Sequence, residues 1–419
     1  MVEENKVNHT VEHLFRSEYG KVVSILTHKY GTAHLEQIED VAQEAFIKAM
    51  QVWAYKSIPD NPTGWLYMVA NNSLLDHLRR DQKIAFQETE NLNILSEGEK
   101  IVDLVLDDTI TDSQLQMIFA CCHPSLSKEY QIVLSLKLIG GFSNKELADA
   151  LLKKEEAVAK SFTRAKKKFR DDVKMLKIPV EMGLQSRLFQ VLQVIYLMFS
   201  EGYAVTSGSQ MIKKDICYEA LRLALLLREN KYCRHPNLEA LIALMCFHAS
   251  RFDARIDEKG ELVTLEHHDR TKYDQNLIRI GIGHLENAGT KDRMPSNYHL
   301  EAARSFYHST ANDFASTDWG NVLYLYDVQL KMHYSPILAL NRLVAYKKVK
   351  GAVKTMEELL VLEQKTDFKD TELYYAVKAE ILSQLQQPEA QKEVLKKAIS
   401  LCGNMVVKKH YEKKLALIK

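Results

Sequence analysis

Glycine and proline are scarce: 16 and 8 in 419 residues. These residues punctuate a chain into turns and short strands, and strand-like alternation of apolar and polar residues is almost absent. Apolar residues recur instead at three- and four-residue spacing over long stretches, which predicts a nearly all-α fold. The six cysteines are scattered and too few for a disulfide framework at this length, so a reducing, cytoplasmic setting is expected. No apolar run reaches 18 residues, so no transmembrane helix is expected. The opening MVEENKVNHT lacks the basic start and apolar core of a signal peptide. Charge of one sign is missing too. Lys and Arg total 56 against 55 Asp and Glu, which leaves +1 and excludes a chain that binds nucleic acid through a global field. Any such contact must come from a local patch. Nucleophile–base spacings, Gly-rich phosphate loops and HExxH are absent, so neither an enzyme nor a cofactor is expected.

What is present is organised in blocks. The length predicts two to four domains, each able to bury a core. Residues 10–82 read as a compact helical unit. Within it, HLEQIEDVAQEAFIKAMQVWAYK places Ile38, Val41, Ala42, Ala45, Phe46, Ala49, Met50 and Trp53 on one apolar stripe, with Asp40, Glu44 and Lys48 outside it. A second helix, WLYMVANNSLLDHLRR, follows the break SIPDNPTG. Residues 81–112 then hold nine acids against two lysines, a net of −7. They predict an acidic linker over 83–112 with little fixed structure. A second helical unit spans 113–176, and Pro179 marks a boundary. Residues 180–419 are helical again. Near the end, two helical hairpins look alike at an offset of roughly 37 residues, with Val353 and Ala390 at matching small positions. This period suggests stacked tetratricopeptide-like repeats.

The most informative stretch is SNKELADALLKKEEAVAKSFTRAKKKFR, Ser143 to Arg170. Ser143 followed by Glu146 is a capping box that opens a helix. Leu147, Ala148 and Leu151 face inward, and LLKKEE is a polar turn. The next helix carries Val158, Phe162, Ala165 and Phe169 as a packing seam. Lys160, Ser161, Thr163, Arg164, Lys166, Lys167, Lys168 and Arg170 lie on its other sides. Nine basic residues against four acids give this stretch +5. A helix with one apolar seam and basic remaining faces suits the major groove. Lysines neutralise phosphates, Arg164 can reach a guanine edge, and Ser161 or Thr163 serves either base edges or phosphate. The bland alternative is an ordinary solvated face.

These residues carry a family resemblance. FSNKELADALLKKEEAVAKSFTRAKKKF resembles the promoter-binding helix-turn-helix of bacterial sigma-70-type factors of the extracytoplasmic-function group, through Val158, Phe162, Arg164, Ala165 and Lys166. The preceding FACCHPSLSKEYQIVLSLKLIGGFS resembles one branch of that group. DVAQEAFIKAMQVW is similar to the sigma helix that docks on RNA polymerase, through Asp40, Gln43, Glu44, Phe46 and Trp53. NPTGWLYMVANNSLLDHLRR is similar to the segment that reads and opens the minus-ten element, through Trp65, Ala70, Asn71, Asp76, Arg79 and Arg80. Opened single strands need aromatic platforms and basic backbone contacts, which Trp65, Tyr67, Arg79 and Arg80 supply unless the rings serve the core. The resemblance implies core RNA polymerase and promoter DNA as partners, with minus-thirty-five recognition through the second unit.

The last 240 residues resemble the helical, tetratricopeptide-like extension of one sigma branch. The matching stretches are VIYLMFSEGYAVTSG, HPNLEALIALMCFHASRFDAR, LVTLEHHDRTKYD, STDWGNVLYLYD and SPILALNRLVAY. The resemblance implies control of the factor in cis, with a ligand or protein that the sequence leaves unnamed. Glu201, His235, His248, Arg251, Arg255, Asp269, Arg270, Asp318 and Arg342 are polar residues within apolar helices. They either fix helix register or converge on a groove. Cys233, His235, Cys246 and His248 are a poor zinc set, because residues two apart on a helix point to different faces. Packing is the expected role of Cys121, Cys122 and His123. Two other classes stay open: a DNA-binding regulator that acts without core polymerase, and a helical-repeat scaffold whose basic helix is incidental.

Overall fold

The structure is a computed structural model and describes residues 18–53, 55, 58–85, 113–151, 153–177, 182–203, 212–289, 294–365 and 371–418. Among these residues every regular element is a helix, and an isolated β-bridge pairs Ile256 with Leu262. The acidic stretch 86–112 and Pro179 lie outside the described residues. The chain forms two compact units, one of residues 1–198 and 218–233, the other of 199–217 and 234–419.

The first unit begins with helix α1 (18–30), α2 (Leu35–Trp53) and α3 (Pro62–Ala85). The stripe expected on α2 is its buried face: Ile38, Val41, Ala42, Ala45, Phe46, Ala49 and Trp53 are all buried, together with Leu35. Met50 departs from the expectation and is 37% exposed. Leu66, Ala70 and Leu74 of α3 close this core from the other side. Next come α4 (113–121), α5 (Lys128–Leu138), α6 (Asn144–Ala150) and α7 (Glu155–Asp172). The capping box forms as expected: Ser143 N donates to Glu146 Oε2 at 2.9 Å, and Glu146 N donates to Ser143 Oγ at 3.2 Å. It satisfies backbone donors that the first turn of α6 leaves open. Val158, Phe162, Ala165 and Phe169 are buried, so the seam of α7 packs where the spacing put it, on α5 and α6. Gly20 of α1 permits a close approach, because a Cβ there would lie 2.2 Å from the Ile139 carbonyl oxygen. Helices α8 (Met182–Tyr203) and α9 (Lys214–Glu229) each contribute to both units.

The second unit is built around α10 (Pro236–Ala249). Ten of its residues are buried, from Leu238 to Ala249. A helix apolar on every side belongs at the centre of a core. It is flanked by α11 (Gln275–Asn287) and α12 (Asn297–Thr310). Gly281 lets α11 approach, since a Cβ there would meet the Phe247 ring at 2.9 Å. Then follow α13 (Trp319–Met332), α14 (Pro336–Lys350), α15 (Ala352–Lys365), α16 (Glu372–Gln384), α17 (Pro388–Leu401) and α18 (Met405–Leu417). The pairs α14–α15 and α16–α17 are the two hairpins expected from the sequence. Their hydroxyl N-caps, Ser335 and Thr371, stand 36 residues apart (371 − 335). Leu340, Leu343, Leu359, Tyr374, Val377 and Ile381 form one cluster across three of these helices. Each hairpin therefore completes its neighbour's core, as stacked repeats do.

Candidate nucleic-acid interface and an arginine cluster

An α-helix turns 100° per residue, so the seam of α7 fixes where its polar side chains go. Lys160, Thr163, Arg164 and Lys167 fall at i, i+3, i+4 and i+7, opposite the seam, and all four are exposed. Lys168 is exposed beside them and pairs with Asp172 at 2.8 Å. This is the stripe a groove would meet. Two of the expected contact residues are placed differently. Ser161 stands next to Phe162 on one shoulder of the seam, is buried, and donates to Glu129 Oε1 at 2.8 Å. Lys166 stands next to Ala165 on the other shoulder and pairs with the buried Glu39 of α2 at 2.7 Å. In this arrangement neither is presented to DNA. Burial raises the Glu39 carboxyl above its ordinary range, against the pull of Lys166.

The Glu39–Lys166 pair is one of several ties between the α1–α3 and α4–α7 parts of the first unit. Arg170 pairs with Glu36 at 3.1 Å. Thr32 Oγ1 donates to the Val173 carbonyl, and His28 Nδ1 donates to Gln116 Oε1 at 2.8 Å.

On α2, Asp40, Gln43 and Glu44 form an exposed polar face. Glu44 Oε2 accepts from Ser73 Oγ at 3.1 Å. Phe46 and Trp53, expected on the same docking surface, are each 3% exposed and belong to the core. Trp65 is half-buried with its ring centroid 5.2 Å from that of Trp53. It therefore combines a packing role with a partly open ring. Asn71 Oδ1 accepts from Tyr30 OH at 2.8 Å and Lys29 Nζ at 3.1 Å. Arg79 and Arg80 are exposed near the end of α3, with Arg79 3.8 Å from Asp76. Cys121 and Cys122 are buried, and burial pushes the Cys122 thiol up to about 12.

In the second unit the nine polar residues noted in the sequence divide by role. His235, Asp269 and Asp318 are caps: each accepts a backbone N–H within its own turn. Arg342 joins two helical layers through Asp327 at 2.5 Å and Glu358 at 3.3 Å. Glu201 is buried. His248, Arg251, Arg255 and Arg270 do converge, and Tyr203, His268, Arg304 and His308 join them. The sequence does not single out these four, because an isolated Tyr, Arg or His gives no local signal of where it converges. Arg251 Nη2 donates to His248 Nδ1 at 2.8 Å, which requires a neutral imidazole, because guanidinium only donates. His248 Nε2 then donates to Ser305 Oγ at 3.2 Å. Arg255 lies over the Tyr203 ring, 3.9 Å from its centroid. Burial lowers all three imidazoles, reinforced by the arginines: His268 to about 4, His308 to about 3, and His248 well below its ordinary value. Among the described residues, no group of three or more His, Cys, Asp or Glu is placed to hold a metal, and no helix is long and apolar enough to cross a membrane.

Comparison with known proteins adds to this geometry. Residues 14–84 match Sigma-70 region 2, residues 116–169 match Sigma-70, region 4, and residues 187–289 match a family of unknown function (DUF6596). The chain is 31% identical over 375 residues to "Uncharacterized protein R00370" of Rhizobium meliloti (strain 1021), covering 88% of this chain and 87% of that protein. It is 27% identical over 143 residues to "RNA polymerase sigma factor YlaC" of Bacillus subtilis (strain 168), covering 34% of this chain and 79% of that protein. No solved structure matches the chain.

Proposed function

Because the chain belongs to the sigma-70 family of RNA polymerase sigma factors, we propose that this alternative sigma factor is of the extracytoplasmic-function group and that its helical extension controls it in cis. Residues 10–82 would bind core polymerase through Asp40, Gln43 and Glu44, and read the minus-ten element through Trp65, Asn71, Arg79 and Arg80. Residues 113–176 would read the minus-thirty-five element through Lys160, Thr163, Arg164, Lys167 and Lys168. Residues 86–112 are the tether, since α3 takes up residues 83–85 of the expected linker, and residues 180–419 are the regulatory extension. The observation that carries this reading is the pairing of an exposed acidic face on α2 with an exposed basic stripe on α7, each within its matched sigma region.

The ties between the two readers bear on how the factor works. Promoter elements some 25 base pairs apart are separated by about 85 Å at 3.4 Å per pair. Parts joined by the 2.7 Å contact of Lys166 with Glu39 cannot occupy both at once. Promoter recognition therefore requires the readers to part. The 27 residues of 86–112 can span at most about 90–97 Å, enough for that separation. Parting releases Lys166 for phosphate contact, which reconciles its position with the expected role.

The test is transcription by core polymerase from a promoter library. Changing Asp40 and Glu44 together to alanine is expected to weaken core binding about tenfold, about 1.4 kcal/mol, with the helical content unchanged. Unaltered binding would favour a regulator that acts without core polymerase. Truncation after Cys233 keeps every residue of the first unit. Equal promoter output from the full and truncated chains would remove control in cis.

A further inference from the structure

We propose that Arg251, Arg255, Arg270 and Arg304 form a binding site for a ligand that presents a phosphoryl group. The residues come from separate elements of the second unit. Arg251 and Arg255 follow α10, Arg270 opens a short 3-10 turn, and Arg304 lies on α12. Arg251, Arg255 and Arg304 are 4%, 8% and 7% exposed. Their proximity is visible at the imidazoles, since His248, His268 and His308 each lie in the field of three of the four guanidinium groups.

Charge is the first reason to expect a ligand. A buried cation needs a counter-charge as well as hydrogen bonds. Elsewhere in this unit that rule is met: Arg342 has Asp327 and Glu358, Lys347 has Glu380, and Lys378 has Glu363. The four clustered arginines instead bond neutral acceptors. Arg255 Nη1 donates to the Tyr203 carbonyl, Arg270 Nη1 to those of His308 and Ala311, and Arg304 Nη1 to Gln329 Oε1. Among the described residues, no carboxylate forms an ion pair with any of the four. The nearby Asp313 feels Arg270, but it is exposed and accepts from Ser316 N.

Unused donors are the second reason. Arg251 Nε and Arg270 Nη2 are buried and have no hydrogen-bond partner among the described residues, and the same holds for His308 Nδ1. Buried donors are nearly always satisfied in a folded protein, so such atoms call for an explanation. An oxyanion supplies both the acceptors and the charge. A phosphoryl group fits better than a single carboxylate, because it brings about −1.5 to −2 charge and three acceptor oxygens. Planar guanidinium donors are also the usual partners of phosphate oxygens.

The site is tested on the full chain with inorganic phosphate, against citrate and against sodium chloride at matched ionic strength. Phosphate is expected to raise the melting temperature saturably, because a ligand that binds only the folded state stabilises it by mass action. Calorimetry should give a dissociation constant that rises at least tenfold in Arg251→Gln and in Arg270→Gln, and stays unchanged in Arg342→Gln. Arg270 is the less buried of the two and serves if Arg251→Gln fails to fold. A rise no larger than that given by sodium chloride would overturn the proposal. So would an equal response in Arg270→Gln, which would place phosphate on the basic stripe of α7, or a response to citrate alone. Neither DNA nor polymerase enters the measurement, so its failure leaves the transcription reading untouched.

Discussion

Changing Lys160, Arg164 and Lys167 together to glutamine is expected to reduce promoter-fragment binding by more than 100-fold, about 3 kcal/mol or more. A guanidinium on a base edge contributes about 1–3 kcal/mol of that, and each lost phosphate contact adds to it. The dependence of log K on log salt should flatten by about 2–3, depending on whether Arg164 touches a base or a phosphate. These three residues are chosen because they are exposed opposite the seam, whereas Ser161 and Lys166 are engaged by Glu129 and Glu39. The fold should be unaffected, since the buried Val158, Phe162, Ala165 and Phe169 are untouched. Arg164→Ala alone separates two roles. A loss confined to one promoter sequence marks a base contact, and an equal loss on all sequences marks a phosphate contact. Full retention of binding by the triple variant would show that α7 does not meet DNA.

The second large effect is on stability in acid. His268 and His308 are held neutral in the folded chain, at about 4 and about 3, by burial and by the nearby arginines. An unfolded imidazole titrates near 6.5. Above that value both states are neutral, and the contribution to stability is complete. Between about 6.5 and the folded values, the unfolded chain takes up protons that the folded chain refuses, so stability falls as pH falls. At 1.36 kcal/mol per unit and per group, the loss between pH 6.5 and 5 is about 2–4 kcal/mol for the pair. His248, lowered in the same direction, adds to it. Most carboxylates remain ionised in that window, which makes it diagnostic. Protection factors in α10 and α12, with the intrinsic pH dependence of amide exchange divided out, should fall across it in buffers free of phosphate. Changing His268 and His308 together to glutamine should flatten the dependence. A wild-type profile that is flat from pH 7 to 5 would contradict the buried neutral imidazoles.

The helices themselves were legible because each rests on local rules. The spacing of Val158, Phe162, Ala165 and Phe169 needs only a 3.6-residue period and an apolar environment to become a seam. The Ser143–Glu146 box needs only the first turn it closes. The stripe on α2 and the two C-terminal hairpins follow in the same way, and Met50 shows the margin of error where a stripe ends. The match to the sigma regions was equally local, carried by short motifs.

What the sequence alone determined, then, is an all-α chain with a helix-turn-helix, its basic stripe and the acidic face of α2. Only the tertiary structure decided which side chains on those faces remain available. Glu39 and Lys166 are 127 positions apart, and nothing in either helix announces that they pair. Phe46 and Trp53 belong to the stretch that resembles a docking helix yet lie in the core, because the apolar stripe of α2 must be buried against α3. The arginine cluster is the extreme case. In a linear reading Arg251, Arg255 and Arg270 stand out only as polar residues within apolar helices, and Arg304 does not stand out at all. Folding around α10 buries three of them with no ion pair to a carboxylate among the described residues, and that imbalance is a property of long-range packing.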